Sequence, residues 1–115
     1  MLPTNKELVI YQGATFKTGF LLKDVDGSPF DLTGWSAHLQ ARVRLGDATP
    51  VLDLSSAKGS IILGTASIGL YVSDEDTARL NFGAAMYDLT LTSPAGESFR
   101  VLEGRVQLRL AVTRE

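Results

Sequence analysis

The sequence has 115 residues, 44% of them hydrophobic and 21% charged, which is enough for one globular domain with its own core. With 11 Lys and Arg against 13 Asp and Glu, the net charge of −2 argues against a strongly basic nucleic-acid-binding protein. The absence of cysteine excludes disulfides, thiol catalysis and cysteine-ligated zinc, and the single histidine, His38, leaves little scope for histidine-based metal or triad chemistry.

The first seven residues are mostly polar and contain Pro3. They predict a flexible N-terminal arm over residues 1–7, followed by a single domain over residues 8–115. The arm has no apolar run of signal-peptide length, and nothing in the chain approaches the roughly 20 apolar residues of a membrane-spanning helix. We therefore expect a soluble protein without a membrane partner.

Alternation of apolar and polar residues, which is typical of β-strands with one buried face, recurs along the chain. The predicted strands are Glu7–Tyr11, Thr15–Lys23, Trp35–Arg44, Val51–Leu54, Ser60–Leu63, Ser67–Val72, Met86–Thr92 and a long C-terminal strand from Ser98 through the alternating residues 102–113. Within this last strand the alternation changes phase between Val101 and Leu102, which predicts a β-bulge or a bend there.

Turn residues separate these strands. Ser93-Pro94-Ala95-Gly96 predicts a hairpin between the last two strands, and Asp24-Val25-Asp26-Gly27 is interpreted as a hairpin turn because it lacks the further ligands of a calcium loop. Ser73 followed by Asp74, Glu75 and Asp76 predicts the start of a short helix that runs to about Leu80.

About eight short strands with one helix near residues 73–80 favour an all-β fold, an antiparallel β-sandwich, with a small barrel as the alternative. On this arrangement His38 is a surface residue, the acidic residues 74–76 cap the helix, and Trp35, Phe16, Phe20 and Tyr87 pack in the core. The sequence contains no glycine-rich phosphate loop and no nucleophile or zinc-protease motif. We therefore predict a protein that is not an enzyme, with no catalytic, cofactor-binding or metal-binding residues and no cofactor.

Arginines are concentrated near the C-terminus and in the strand after Trp35. If these two strands are neighbours in one sheet, their polar face presents several arginines, which suits an acidic protein surface or phosphate, although a simply solvated face is the alternative. The acidic balance of the chain argues against nucleic acid. The C-terminal strand is also expected to offer an open edge for pairing with a partner. The predicted partner-binding residues are Pro3 and Lys6 in the arm and Arg42, Arg44, Arg105 and Arg109 in the strands.

Several segments carry a resemblance to a known class of proteins. They are Gln12–Phe16, Leu22–Pro29, Phe30-Asp31-Leu32-Thr33-Gly34-Trp35, Tyr87–Glu97 and Leu102-Glu103-Gly104. In this order and spacing the chain resembles small structural proteins of tailed bacteriophages and prophages. It is similar in layout to the immunoglobulin-like N-terminal domain of phage baseplate upper proteins, in which an Asp-Leu-Thr-Gly turn also precedes a long strand.

The resemblance implies an immunoglobulin-like β-sandwich that is made in the bacterial host cytoplasm and located in the virion. It implies a structural role in assembly, in the tail, baseplate or tail-fibre attachment region, with other phage structural proteins as partners and a homo-oligomeric or symmetric array of copies. A capsid decoration protein or a head–tail neck protein is the alternative. A carbohydrate-binding β-sandwich module is a further alternative, for which Tyr71 is the main aromatic residue outside the predicted core.

Overall fold

A computed structural model describes residues 3–22 and 31–113. Within these ranges the chain forms nine strands and a single short helix. The elements are β1 (Thr4–Asn5), β2 (Leu8–Tyr11), β3 (Phe16–Leu21), β4 (Ser36–Arg42), β5 (Leu52–Ser55), β6 (Ile61–Gly64), β7 (Ser67–Val72), α1 (Asp74–Arg79), β8 (Ala84–Thr92) and β9 (Ser98–Arg109).

The strands form two sheets. The larger sheet has the order β1-β9-β8-β4-β5, with β2 also paired to β9, and the smaller sheet has the order β3-β7-β6. In immunoglobulin domains strands G, F, C and C′ share one sheet and strands B, E and D the other, and the two sheets here follow those orders. The fold is therefore the predicted all-β, immunoglobulin-like sandwich rather than a barrel. Its pairing is antiparallel except that β1 and β2 run parallel to β9.

One continuous cluster of buried apolar side chains fills the space between the sheets. Leu39 of β4 faces Leu89 of β8, and both have no exposed surface. Ile68 and Leu70 supply the matching side chains from the smaller sheet, at 0% and 1% exposure. Burial of each such side chain contributes about 1.5–3 kcal/mol. The chain contains no cysteine, so the two sheets pack together without the disulfide that many immunoglobulin domains carry.

The predicted β-bulge is confirmed. Leu89 pairs with Leu102 whereas its neighbour Thr90 pairs with Arg100, so that Val101 is the extra residue on β9. Val101 and Leu102 are both buried, at 2% and 3% exposure, which explains why the apolar phase of the sequence changes between them.

The N-terminal segment differs from the prediction of a flexible arm over residues 1–7. Thr4 and Asn5 pair with Leu102 and Glu103, and the backbone N–H of Lys6 donates to the Glu103 carbonyl at 2.9 Å. The physical reason is that β9 has unpaired backbone groups on this side, which a neighbouring extended segment satisfies. Residues 4–6 therefore belong to the larger sheet.

Gly104 and Tyr87 hold this segment in place. Gly104 has φ of +154°, and a Cβ at this position would lie 2.5 Å from the Lys6 carbonyl oxygen. Tyr87 faces Gly104 across β8 and β9, and its hydroxyl donates to that same carbonyl at 2.5 Å. Only glycine therefore permits the close approach of the two backbones.

The same pairing corrects a second prediction. The C-terminal strand was expected to offer an open edge, but β9 has β8 on one side and β1 and β2 on the other. It is therefore an interior strand. The prediction failed because this pairing joins segments from opposite ends of the chain.

Helix α1 and the last hairpin follow the predictions. The Ser73 hydroxyl accepts a hydrogen bond from the Asp76 N–H, which is the expected N-cap. The β8–β9 hairpin closes through residues 93–97, with Gly96 at φ of +92°. The Asp24–Gly27 turn lies outside the described residues.

The aromatic residues divide into two groups. Tyr87 is buried, as predicted. Trp35, Phe16 and Phe20 are only partly buried against the core. Trp35 packs against Phe99 with ring centroids 6.0 Å apart. Half-burial of these rings reflects their position on peripheral parts of the sandwich rather than between its central strands.

Candidate protein-binding surface

The outward face of the larger sheet presents basic and apolar side chains side by side. Arg42 of β4 pairs with Met86 of β8, which in turn pairs with Arg105 of β9. Arg109 lies on the same face of β9, since alternate residues of a strand share a face, and it pairs with Tyr11 of β2. Met86 is 50% exposed and Tyr11 58%. We refer to these five residues as the arginine face.

The arginines reach this face by a different arrangement from the one the sequence predicted. Strands β4 and β9 are not neighbours, because β8 lies between them. Met86 therefore separates Arg42 from Arg105 in the row, which keeps the two guanidinium groups out of direct cross-strand contact. Like charges directly opposite each other destabilise a sheet, so this spacing lowers the cost of placing both on one face.

Charges elsewhere on the same sheet neutralise one another. Arg100 forms ion pairs with Asp88 at 3.4 Å and with Glu103 at 3.6 Å. The Asp53 carboxylate accepts from His38 at 2.8 Å and lies 3.5 Å from the Lys58 ammonium. His38 is thus an exposed surface residue, as predicted.

The pKa of Asp53 is set by opposing effects. Partial burial acts to raise this pKa, but hydrogen bonds from His38 and Gln40 and the charge of Lys58 outweigh burial and hold it below the usual value. The carboxylate therefore stays ionised and accepts from His38 and Gln40 beside the Lys58 ammonium.

The arginine face lacks such neutralisation. Within residues 3–22 and 31–113, Arg105 and Arg109 have no carboxylate within ion-pair distance. Arg42 is held by neutral groups, since its Nε donates to the Asp47 carbonyl at 2.9 Å and a terminal nitrogen donates to the Gln40 side-chain oxygen at 3.1 Å. Uncompensated guanidinium groups beside exposed apolar side chains suit a partner that supplies carboxylates around an apolar contact.

The remaining predicted partner-binding residues lie apart from this face. Arg44 follows β4 in an exposed loop, where its backbone N–H donates to the Asp47 carboxylate at 3.1 Å. Pro3 is half-buried just before β1. Lys6 lines a groove of about 330 Å³ that separates β2 from β3. The sequence therefore selects three of the five residues on the arginine face and misses Met86 and Tyr11, which become neighbours only through the strand order.

Other parts of the described surface offer less chemistry. Asp74 and Glu75 open α1, as predicted, and line an open depression with Gln12 and residues 110–113. Among the described residues no group of three or more His, Asp or Glu side chains is placed to hold a metal ion. Tyr71 is 41% exposed, in agreement with its predicted position outside the core. No helix in the described ranges is long and apolar enough to cross a membrane.

The sequence matches no protein-family model and no curated protein. Its solved structural neighbours include a chain in the complex of ICOS with ICOS-L and an anti ICOS-L VNAR domain, at 15% identity and a TM-score of 0.43, covering 94% of this chain and 55% of that one. A structure of voltage-gated sodium channel (VGSC) β subunits, studied for multimeric cell-adhesive interactions, has 12% identity and a TM-score of 0.44, covering 95% and 93%. Extracellular domains 3–5 of Drosophila OTK have 13% identity and a TM-score of 0.38, covering 92% and 33%. The chain thus spans about half the length of the matched chain in the first structure and a third of that in the last.

Proposed function

We propose that this protein is a non-catalytic structural component of a tailed-bacteriophage virion that mediates protein–protein assembly in the tail, baseplate or tail-fibre attachment region. The virion assignment rests on the sequence resemblance described above. The Asp31-Leu32-Thr33-Gly34 segment of that resemblance forms a defined turn before β4. Its Asp31 carboxylate accepts from the Thr33 N–H at 3.0 Å and from the Thr33 hydroxyl at 2.7 Å, and Gly34 has φ of +81°.

The arginine face is the observation that carries the binding role. It combines uncompensated positive charge at Arg105 and Arg109 with exposed apolar surface at Met86 and Tyr11. Since the chain as a whole has a net charge of −2, this basic area is a local feature that orients the molecule toward an acidic partner surface. Arginine and tyrosine are also the residue types that most often dominate binding energy at protein interfaces.

The face is rigid, which suits a building block of a large assembly. Its side chains project from β4, β8, β9 and β2, and each of these strands is hydrogen-bonded to the next in that order. Binding of a partner there therefore costs little conformational entropy in the backbone of this chain. The expected partner is another phage structural protein that presents carboxylates around an apolar contact.

Reconstitution on tails tests the proposal. Tails are prepared from a deletion mutant of the encoding phage, purified protein is added, and the amount bound per tail is measured. The charge reversal Arg105→Glu is expected to weaken binding by about tenfold or more, since a central arginine contributes about 1–2 kcal/mol or more at an interface.

Arg79→Glu is the matched control. It makes the same change of charge on helix α1, which contributes no residue to the arginine face, at a side chain that is 75% exposed. Tails that bind both variants equally well would refute the role of the face. Binding to heads but not to tails would favour the capsid decoration or neck alternative.

A further inference from the structure

The outer edge of β3 carries an independent inference. This strand ends the smaller sheet, and within the described ranges no strand pairs with its outer side. In immunoglobulin sandwiches the first strand of the chain lies beside this edge. Here the first two strands, β1 and β2, both pair with β9 in the other sheet, so neither of them covers the edge of β3.

The core-facing residues of β3 show the effect of the missing neighbour. Phe16, Thr18 and Phe20 point toward the core, but each is only half-buried. Their cross-strand partners on β7 include Val72 and Ile68, which are 5% and 0% exposed. A groove of about 330 Å³ runs along this side of the sandwich and is lined by Phe16, Thr18 and residues of β2. Apolar side chains therefore remain accessible beside an outer edge that no described strand covers.

The hydrogen bonds of β3 identify which backbone groups are free. The Leu22 N–H donates to the Ala66 carbonyl at 2.8 Å, on the side of β7. Because backbone groups of successive residues in a strand point to opposite sides, the even-numbered residues of β3 face β7. The N–H and C=O groups of Lys17, Gly19 and Leu21 consequently point away from the sheet, toward a potential partner strand.

We propose that a second copy of this chain occupies the edge, with the two β3 strands antiparallel about a two-fold axis at Thr18. In this register Lys17 exchanges backbone hydrogen bonds with Gly19 of the partner subunit, and Phe16 faces Phe20 of the partner subunit. The free groups identified above are the ones that this register uses. Aromatic pairs across strands are favourable, and each lysine faces a glycine rather than another charge.

Neighbouring registers are less favourable. A shift of the axis to Lys17 places the two lysines directly opposite each other, at a cost from like charges. A shift of the axis to Gly19 retains the hydrogen bonds but separates Phe16 from Phe20 of the partner subunit. The near-palindromic order of Phe16, Thr18 and Phe20 thus selects one pairing. The two-fold axis makes this interface self-complementary and closed, so it yields a dimer with one sheet continuous through both copies. The inference does not depend on the virion assignment.

Disulfide trapping tests the register. The chain contains no cysteine, so Thr18→Cys introduces a single thiol per copy. In the proposed dimer the two residues form a non-hydrogen-bonded pair with Cα atoms about 4.5 Å apart, within the range of a disulfide. We expect mild oxidation to convert this variant into a covalent dimer on a non-reducing gel.

Lys17→Cys is the matched control. Residue 17 is more exposed than residue 18, so random collision would cross-link it at least as fast. In the proposed register its two copies are diagonal neighbours at about 8 Å, too far apart for a disulfide. An equal mixture of the Lys17→Cys and Gly19→Cys variants is expected to cross-link again. Cross-linking of Lys17→Cys that matches or exceeds that of Thr18→Cys would overturn the proposal.

Self-association of the unmodified protein gives the second measurement. We expect sedimentation velocity to show a concentration-dependent dimer, and Gly19→Lys to raise its dissociation constant about tenfold or more by creating two like-charge pairs. A Cβ at Gly19 would meet only the Ile68 carbonyl at 3.6 Å, an ordinary contact, so the variant is expected to keep its fold, which circular dichroism verifies. A wild-type protein that stays monomeric at all concentrations, or a folded Gly19→Lys variant that dimerises as well as wild type, would refute the inference.

Discussion

The hydrogen bond between Tyr87 and the N-terminal segment allows a sharp test of how the fold is held together. Tyr87 is 4% exposed, and its hydroxyl donates to the Lys6 carbonyl. The change Tyr87→Phe retains the ring and its packing but removes the only atom that makes this bond. The Lys6 carbonyl then loses this donor at a partly buried position.

Loss of one such hydrogen bond is expected to lower the free energy of unfolding by about 1–2 kcal/mol. For a domain of this length, that change corresponds to a decrease in Tm of about 4–8 °C. Urea denaturation measures the free energy, and differential scanning calorimetry measures Tm. Native-state hydrogen exchange adds a local readout, because the Lys6 N–H donates to the Glu103 carbonyl and its exchange is expected to accelerate in the variant.

Tyr71→Phe provides the matched control, since Tyr71 is 41% exposed and we expect its hydroxyl to be solvated. This variant should unfold within about 0.5 kcal/mol of wild type, as surface substitutions usually do. If Tyr87→Phe has the same stability and the same Lys6 exchange rate as wild type, the bond does not hold the N-terminal segment, and our account of that segment is wrong.

Three further predictions concern stability. Gly104→Ala is expected to lower the free energy of unfolding by about 1–3 kcal/mol and to release the N-terminal segment, because its Cβ would overlap backbone there; unchanged stability and exchange would contradict this. Thr77→Val is expected to lower the free energy of unfolding by about 2–3 kcal/mol in urea denaturation, because the Thr77 hydroxyl accepts from the Gly13 N–H and donates to the Ala14 carbonyl. A loss below about 0.5 kcal/mol, as for a typical surface substitution, would show that these two hydrogen bonds do not stabilise the fold. Burial raises the pKa of Tyr87 to about 12, so the folded state favours the neutral hydroxyl. The contribution of Tyr87 to stability is therefore fully present below about pH 10, the pKa of an exposed tyrosine, and declines as the pH rises from 10 to 12. The Tyr87→Phe variant should lack this part of the decline. If the free energy of unfolding falls in parallel for wild type and variant between pH 10 and 12, the assigned role of Tyr87 is wrong.

Local patterns predicted much of the fold. Alternation located β4, β7 and β8, and the change of phase near Val101 located the bulge, because each of these depends on a residue and its immediate neighbours. The cap at Ser73 was predictable for the same reason.

Features that depend on which strands become neighbours were not predictable. The alternation of residues 1–7 does not indicate that residues 4–5 pair with β9, since that contact joins opposite ends of the chain. Gly104 within an alternating strand was the available signal, because glycine there often marks a close backbone approach. The arginine face was predicted only in part, since Met86 and Tyr11 join the arginines through the order of the strands.

The proposed role in a virion is tested most directly by mass spectrometry of purified, intact particles separated into heads and tails, from the phage or induced prophage that encodes this chain. We expect the protein in the tail fraction, at an amount in fixed proportion to the other tail proteins. Its presence in heads alone would replace the tail assignment with the decoration or neck alternative. Its absence from both fractions would contradict a structural role in the virion.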